Sequence, residues 1–239
     1  MSLATRTLAV LAVGALIAPT ASAITQDFES IAAGTVAAGI KPSGGFEPGL
    51  LFPDFQIIVH NNNGPQTAAI FDTSNPTGGD PDLGTPNETC PGGGPGVGTG
   101  GEVGQPGENC VPLGNVLIIQ ENLDDANNDD ILDSPDDDAS GGHIVFDFEP
   151  GFVPIAVQLL DIDNESAMVE VQGDAAMVTV NATDLGNNSV QTLDLTGLGS
   201  LDKLVVTFSS SGAIGAVEYE PAPTSVEPET WGQVKARWR

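Results

Sequence analysis

HIVFDFEPGFVPIAVQLL, residues 143–160, is the stretch whose reading decides the fold. Ile144, Phe146 and Phe148 fall on one face of an extended chain, with Val145 and Asp147 on the other. Ile155, Val157 and Leu159 supply the next inward row. Successive side chains of a strand point to opposite faces, so strict alternation marks a strand with one buried side. The alternation continues downstream. Ala167, Val169 and Val171 oppose Met168, Glu170 and Gln172; Ala176, Val178 and Val180 follow; residues 191–195 form a further run. Leu204, Val206 and Phe208 then alternate with Lys203, Val205 and Thr207, and residues 213–219 end the series. Gly, Asn, Asp or Pro separates the runs, and no window carries a 3.6-residue period. Short strands at regular spacing predict an all-β sandwich or barrel.

Upstream the pattern is sparser. ITQDFE (24–29) predicts an opening strand, whereas residues 30–53 are Gly/Ala-rich and ambiguous. QIIVH (56–60) and TAAIF (67–71), joined by the turn-rich NNNGPQ, predict a hairpin. Residues 117–120 resume a strand. The first half offers three or four strands, too few to bury a face alone. The expectation is therefore one antiparallel β-sandwich domain over 24–221, with a loop-rich acidic insertion from 72 to 142.

Residues 1–23 (MSLATRTLAVLAVGALIAPTASA) have an early Arg6, an apolar run from Leu8 to Ala18 and Ala21-Ser22-Ala23, the pattern of a secretory signal peptide. No other stretch approaches membrane-spanning length. All 33 acids and five of the six bases follow residue 23. A body this acidic is repelled by nucleic acid and anionic membranes, and suits divalent cations or a saline medium. Export favours a disulfide between Cys90 and Cys110. It would close PGGGPGVGTGGEVGQPGEN, a Gly/Pro run read as a floppy loop, and contribute about 3 kcal/mol on the chain-entropy model. Residues 222–239 read as a Pro-rich linker and a basic end, TWGQVKARWR, whose Trp231, Val234 and Trp238 would share a helix face. Such an end suits a surface or a sorting enzyme, and a disordered tail is the alternative.

The chemistry concentrates in ENLDDANNDDILDSPDDDASGG (121–142), with nine carboxylates. Hard cations take several oxygen ligands, and Asp/Asn spaced two apart aim alternate side chains at one centre. Asp125, Asn127 and Asp129 match positions 1, 3 and 5 of an EF-hand loop, with Asp133 at 9 and Asp136 at 12; Asp130 stands where Gly is usual. Strand exits carry two further acidic groups, Asp72, Asp80 and Asp82 in one, and Asp161, Asp163, Asn164 and Glu165 in the other. With Glu121 they could converge on one end of the sandwich around calcium. A solvated acidic loop is the alternative.

Enzyme signatures are thin. His60 and His143 are the only histidines, too few for a zinc enzyme. No G-x-S-x-G is present, and the Gly-rich 91–107 segment lacks the Lys-Ser/Thr of a phosphate loop. A glycosidase's carboxylate pair cannot be picked from sequence alone.

QDFE (26–29), IFDTSNPTGGDPDLGTP (70–86), LGNVLIIQEN (113–122) with the Asp-rich loop after it, and NSVQTLDLTGLGSLDKLVVTFSSSGAIGAVEYEP (188–221) together resemble a family of secreted bacterial β-sandwich domains, common among exported proteins with PEP-CTERM-type sorting tags. The resemblance implies a jelly-roll or galactose-binding-like sandwich, similar to carbohydrate-binding modules. It also implies a structural ion shared by Glu29 and Glu218. Val226-Glu227-Pro228-Glu229 resembles the V-P-E-P tag motif, without the hydrophobic helix that follows it in that family; TWGQVKARWR is similar to a short Trp-Gly/basic tag on other exported proteins. The expectation is a non-catalytic, calcium-stabilised module of the cell surface, with extracellular polysaccharide or a surface-matrix protein as partner and a tail that could meet sorting machinery. A structural or adhesive protein without small ligand is the alternative, and a glycosidase-like hydrolase the third.

Overall fold

The computed structural model describes residues 22–163, 168–172 and 177–221. Residues 1–21, where the signal peptide is expected, the tail 222–239, and Asn164, Glu165, Ala167 and Ala176 lie outside them. The strands are β1 (Ile24–Asp27), β2 (Val36–Ile40), β3 (Phe46–Glu47), β4 (Phe55–Asn61), β5 (Thr67–Asp72), β6 (Asn115–Ile119), β7 (Gly142–Leu160), β8 (Met168–Gln172), β9 (Met177–Asn181), β10 (Val190–Asp194), β11 (Leu201–Phe208) and β12 (Ala213–Pro221). Among the described residues a single 3₁₀ turn, Pro81–Leu83, interrupts the loops. The fold is all-β, antiparallel and sandwich-like. The hydrogen-bonded order is β3-β2-β5-β6-β12-β7-β11-β8-β9, with β1 on β12 and with β4 and β10 on β7.

β7 closes the sandwich. Its first half pairs with β4 and β11, its second with β10 and β12. The two inward rows of residues 144–160 thus belong to one strand shared by both parts of a curled sheet. The main core joins Phe55, Ile57, Ile144, Phe146, Leu204 and Phe208 to Leu117, Ile119, Val157, Leu159, Val217 and Tyr219. Phe146 is fully buried with its ring edge-on to Phe55; truncating such a ring to Ala costs about 3–5 kcal/mol.

Three expectations fail for local reasons. Ile155 is only half-buried: Glu218 pairs with Ala156 and Tyr219 with Pro154, so Ile155 is a bulge residue with no opposite number on β12, and the inward phase moves from Phe146 and Phe148 to Val157 and Leu159. Residues 56–71 form no hairpin. β4 pairs with β7, whereas β5 lies between β2 and β6. The connector is held by Asn61, whose Oδ1 accepts the Asn63 and Gly64 N–H groups and whose amide donates to the Gln120 carbonyl. Val178 is 41% exposed, because among the described residues β9 ends the sheet and pairs only with β8.

The 72–142 segment is divided by β6, a central strand, and its two excursions cover the sheet. Leu83 and Leu132 join Val36, Ala69, Phe71, Val116, Ile118 and Ala213 in a second core. β5 and β6 are therefore buried on both faces, which is why both read as unbroken apolar runs rather than alternating ones.

The Gly/Pro segment is packed rather than floppy. Cys90 and Cys110 are disulfide-bonded, Cα atoms 5.4 Å apart. The buried Asn87 amide donates to the Gly98 carbonyl and to Asn188 Oδ1, and the Asn109 amide to the Gly84 and Asn188 carbonyls. A Cβ at Gly96 would overlap the Gly84 carbonyl, and one at Gly101 the Asn188 carbonyl. Glycine here permits close backbone approach, and so lets a segment without large side chains form a specific layer.

Candidate metal centre

β6 and β7 both run antiparallel to β12, so their C-terminal ends meet the start of β12. Three chain segments deliver carboxylates to that corner. The Pro81–Leu83 turn carries Asp82, and Asp80 stands at its N-cap. The acidic loop returns along the end of β6, where Asp137 bridges Gln120 and the Asp138 N–H donates to the Ile119 carbonyl. Asp161 follows β7 with φ of 60°. Its Oδ1 accepts the Asn188 N–H at 2.6 Å, while the Asn188 amide donates to the carbonyls of Asp82 and Gly84. The glycine layer thus fixes one side of the site.

One oxygen each from Asp80, Asp136 and Asp137 lies within 4.8 Å of the others, the only such trio of carboxylate, imidazole or thiol ligands among the described residues. Asp137 is its buried hub. Its N–H donates to Asp80 Oδ2 at 3.0 Å, and its own Oδ2 accepts the Gly212 N–H at 2.5 Å and the Ser211 hydroxyl at 2.7 Å. The same hydroxyl lies 3.2 Å from Asp161 Oδ2. Serine has one hydroxyl hydrogen, so two carboxylates compete for one donor.

Charge repulsion and burial show in the protonation. Asp80 is pushed up to about 7 by burial and then by the Asp137 charge. Asp136 rises to about 7 through burial and its contact with Asp80. Asp137 rises to about 7 through burial, which outweighs the Ser211 and Gly212 donors. Asp161 rises to about 7 through burial and then the Asp82 charge. Asp82 is raised, mainly by burial, and the exposed Glu121 is raised, mainly by Asp136. Asp138, 3% exposed, has one oxygen on the Ser140 N–H and a buried Oδ2 with no hydrogen-bond partner. The two bases among the described residues are engaged elsewhere, Lys41 with Glu47 and Lys203 with Asp147.

Of the residues singled out in the sequence, the structure gathers Asp80 and Asp136, with Asp82, Glu121 and Asp161 around them. Asp163 lies within electrostatic range of Asp82 and Asp161. It does not gather the rest. Asp72 caps its own turn by accepting the Ser74 N–H and hydroxyl. Asp125, Asn127 and Asp129 accept N–H groups within their own loop, and Asp133 accepts the Ala126 N–H. Asp136 leaves that loop for the trio around the buried Asp137, so position 12 does not close an EF-like cage. Glu29 accepts the Asn115 N–H beyond the end of β1, while Glu218 sits opposite Thr25; the pair implied by the resemblance does not converge. Asp137 and Asp138 were missed as site residues. The signal was the Asp136-Asp137-Asp138 run just before β7, beside an unbroken apolar strand.

A cluster of three aspartates that could hold a metal ion is what this corner presents. All-oxygen ligand sets favour hard divalent cations. Compared with known proteins, the chain matches no protein-family model and no curated sequence.

Proposed function

We propose that the protein is a non-catalytic, exported binding module whose acidic corner holds calcium and is stabilised by it. The observation that carries this reading is the Asp80–Asp136–Asp137 trio, buried enough to raise all three carboxyls to about 7, with both bases among the described residues paired elsewhere. A divalent cation would replace the missing counter-charge. Calcium is preferred among hard cations because its larger, flexible shell accepts an irregular carboxylate set, whereas magnesium demands near-octahedral geometry. The Cys90–Cys110 disulfide fits an oxidising compartment, in keeping with the signal-like residues 1–23 and the resemblance to secreted bacterial sandwiches. Extracellular polysaccharide or a surface-matrix protein is the partner this reading favours.

The test is thermal melting with calcium and with chelator, alongside polysaccharide pull-down under both conditions. Calcium should raise the melting temperature. An unchanged melt defeats the metal reading; retention of no polysaccharide in either condition leaves a structural surface protein instead.

A further inference from the structure

The only two histidines of the chain, distant in sequence, are brought side by side. The β4–β7 register places His60 directly opposite His143, and their ring centroids lie 4.9 Å apart with planes tilted by 32°. His60 is exposed and His143 half-buried. They share a sheet face with Val145, opposite the face that carries Ile144 and Phe146 into the core.

We propose that His60 and His143 form a surface chelate for a borderline transition-metal ion of the zinc, copper or nickel class, separate from the hard-cation corner. Two imidazole nitrogens ~2.0–2.1 Å from one ion, at angles between ~90° and ~109°, set ring centroids ~4.5–5.2 Å apart. The observed spacing falls inside that interval. Imidazole is the ligand type these ions favour, whereas the aspartate trio is oxygen-only. The strands fix both Cα positions, so an ion need order only two short side chains. His143 is held below the ordinary histidine range, by burial first and then by the charge of His60, with Glu170 opposing. A neutral imidazole has a free lone pair, the form that binds metal. Both cysteines are in the disulfide, so no thiolate competes for the ion among the described residues. Water completes the coordination, as expected for an open two-ligand site.

The experiment titrates untagged protein with zinc chloride by calorimetry, with calcium in excess to occupy the carboxylate corner. One equivalent of zinc should bind. Affinity should fall at least tenfold in His60→Ala and in His143→Gln, and change less than twofold in Asp137→Asn. Cupric ion on the same protein should give a paramagnetic resonance spectrum with hyperfine coupling to two nitrogens. His60 is exposed, so an unchanged melting temperature for His60→Ala keeps the comparison between folded proteins. Absence of zinc binding under excess calcium, wild-type affinity in both histidine variants, or coupling to fewer than two nitrogens would overturn the chelate. These readouts are independent of the calcium melt, so either proposal can fail alone.

Discussion

The acidic loop holds two regions of similar composition and opposite physics. From Asp125 to Asp133 the carboxylates are answered by their own backbone: Asp125 accepts the Asp129 and Asp130 N–H groups, Asp129 that of Ile131, Asp133 that of Ala126. Asp130 accepts the Ser43 N–H and hydroxyl, which hold its carboxyl below the usual range. A few residues later, Asp136 and Asp137 are drawn against Asp80 where donors are too few, and all three carboxyls are pushed up to about 7. Carboxylate density alone therefore does not mark a cation site. The ratio of carboxylate oxygens to local donors does, because a satisfied carboxylate gains little from an ion and an unsatisfied buried one gains much.

The sharpest way to break that contrast is a pair of isosteric substitutions. Asp137→Asn should weaken calcium binding by about a hundredfold or more, equivalent to about 2.7 kcal/mol. Asp129→Asn should change it by less than about threefold, since its side-chain oxygen still accepts the Ile131 N–H. Calorimetry on the two variants decides; equal losses would place the ion in the exposed loop. Next in size is the thermal response. Calcium at about a hundred times Kd stabilises by about 2.7 kcal/mol. That raises the melting temperature by about 5–10 °C in a chain of this length. The rise should be absent in Asp137→Asn and intact in Asp129→Asn.

Much of this was legible in residues 143–160, and the failures are instructive. The alternation of Ile144, Phe146 and Phe148 specified a strand and its buried face. It could not specify that one strand runs on through Pro150 and Gly151 to serve both parts of the sheet, or that Ile155 bulges, because each depends on partners elsewhere in the chain. TAAIF and QIIVH were legible as strands; their pairing was not, since a turn-rich connector equally serves a hairpin or a crossing, and the Asn61 amide on Gln120 decided it. The glycine segment misled for a similar reason. Apolar side chains are the usual sign of packing, and close backbone contact under three buried asparagines leaves no such sign. At the site, turn position exposed Asp80, Asp136 and Asp161 to inspection. Asp137 was hidden because which member of a three-Asp run faces inward follows from its bridge to Gln120.

Acidity sharpens the comparison without any substitution. In the metal-free protein the carboxyls of Asp80, Asp136, Asp137 and Asp161 lie near 7 when folded, against the ordinary 3.8 of an aspartate. Between those values the native state binds more protons than the unfolded one, so stability falls as pH rises from about 4 to about 7 and levels off above. The metal-free melting temperature should therefore be higher at pH 5 than at pH 8. Excess calcium should reverse the order, because the ion competes with those protons and binds best once they are gone. Asp137→Asn should flatten the metal-free slope. A metal-free melt that rises from pH 5 to pH 8 would mean that these carboxylates are already neutralised.

The smallest effect bears on the residue that most departs from an EF-hand loop. Asp130 takes φ of 65° at the position where glycine is usual. Asp130→Gly would relieve the left-handed strain but lose both Ser43 hydrogen bonds and add freedom to the unfolded chain. These contributions oppose one another at an exposed site, and the melting temperature should move by less than about 2 °C. The variant nevertheless separates two explanations of the contrast. If the missing glycine keeps the Asp125–Asp133 loop from closing on an ion, Asp130→Gly should create a second calcium equivalent in the titration. If donor satisfaction decides, the stoichiometry should stay as in the wild type, because Asp125, Asp129 and Asp133 keep their backbone partners and Asp136 remains committed to Asp80 and Asp137. The structure favours the second outcome: the loop already adopts the left-handed turn that the glycine would permit, and its carboxylates still do not converge.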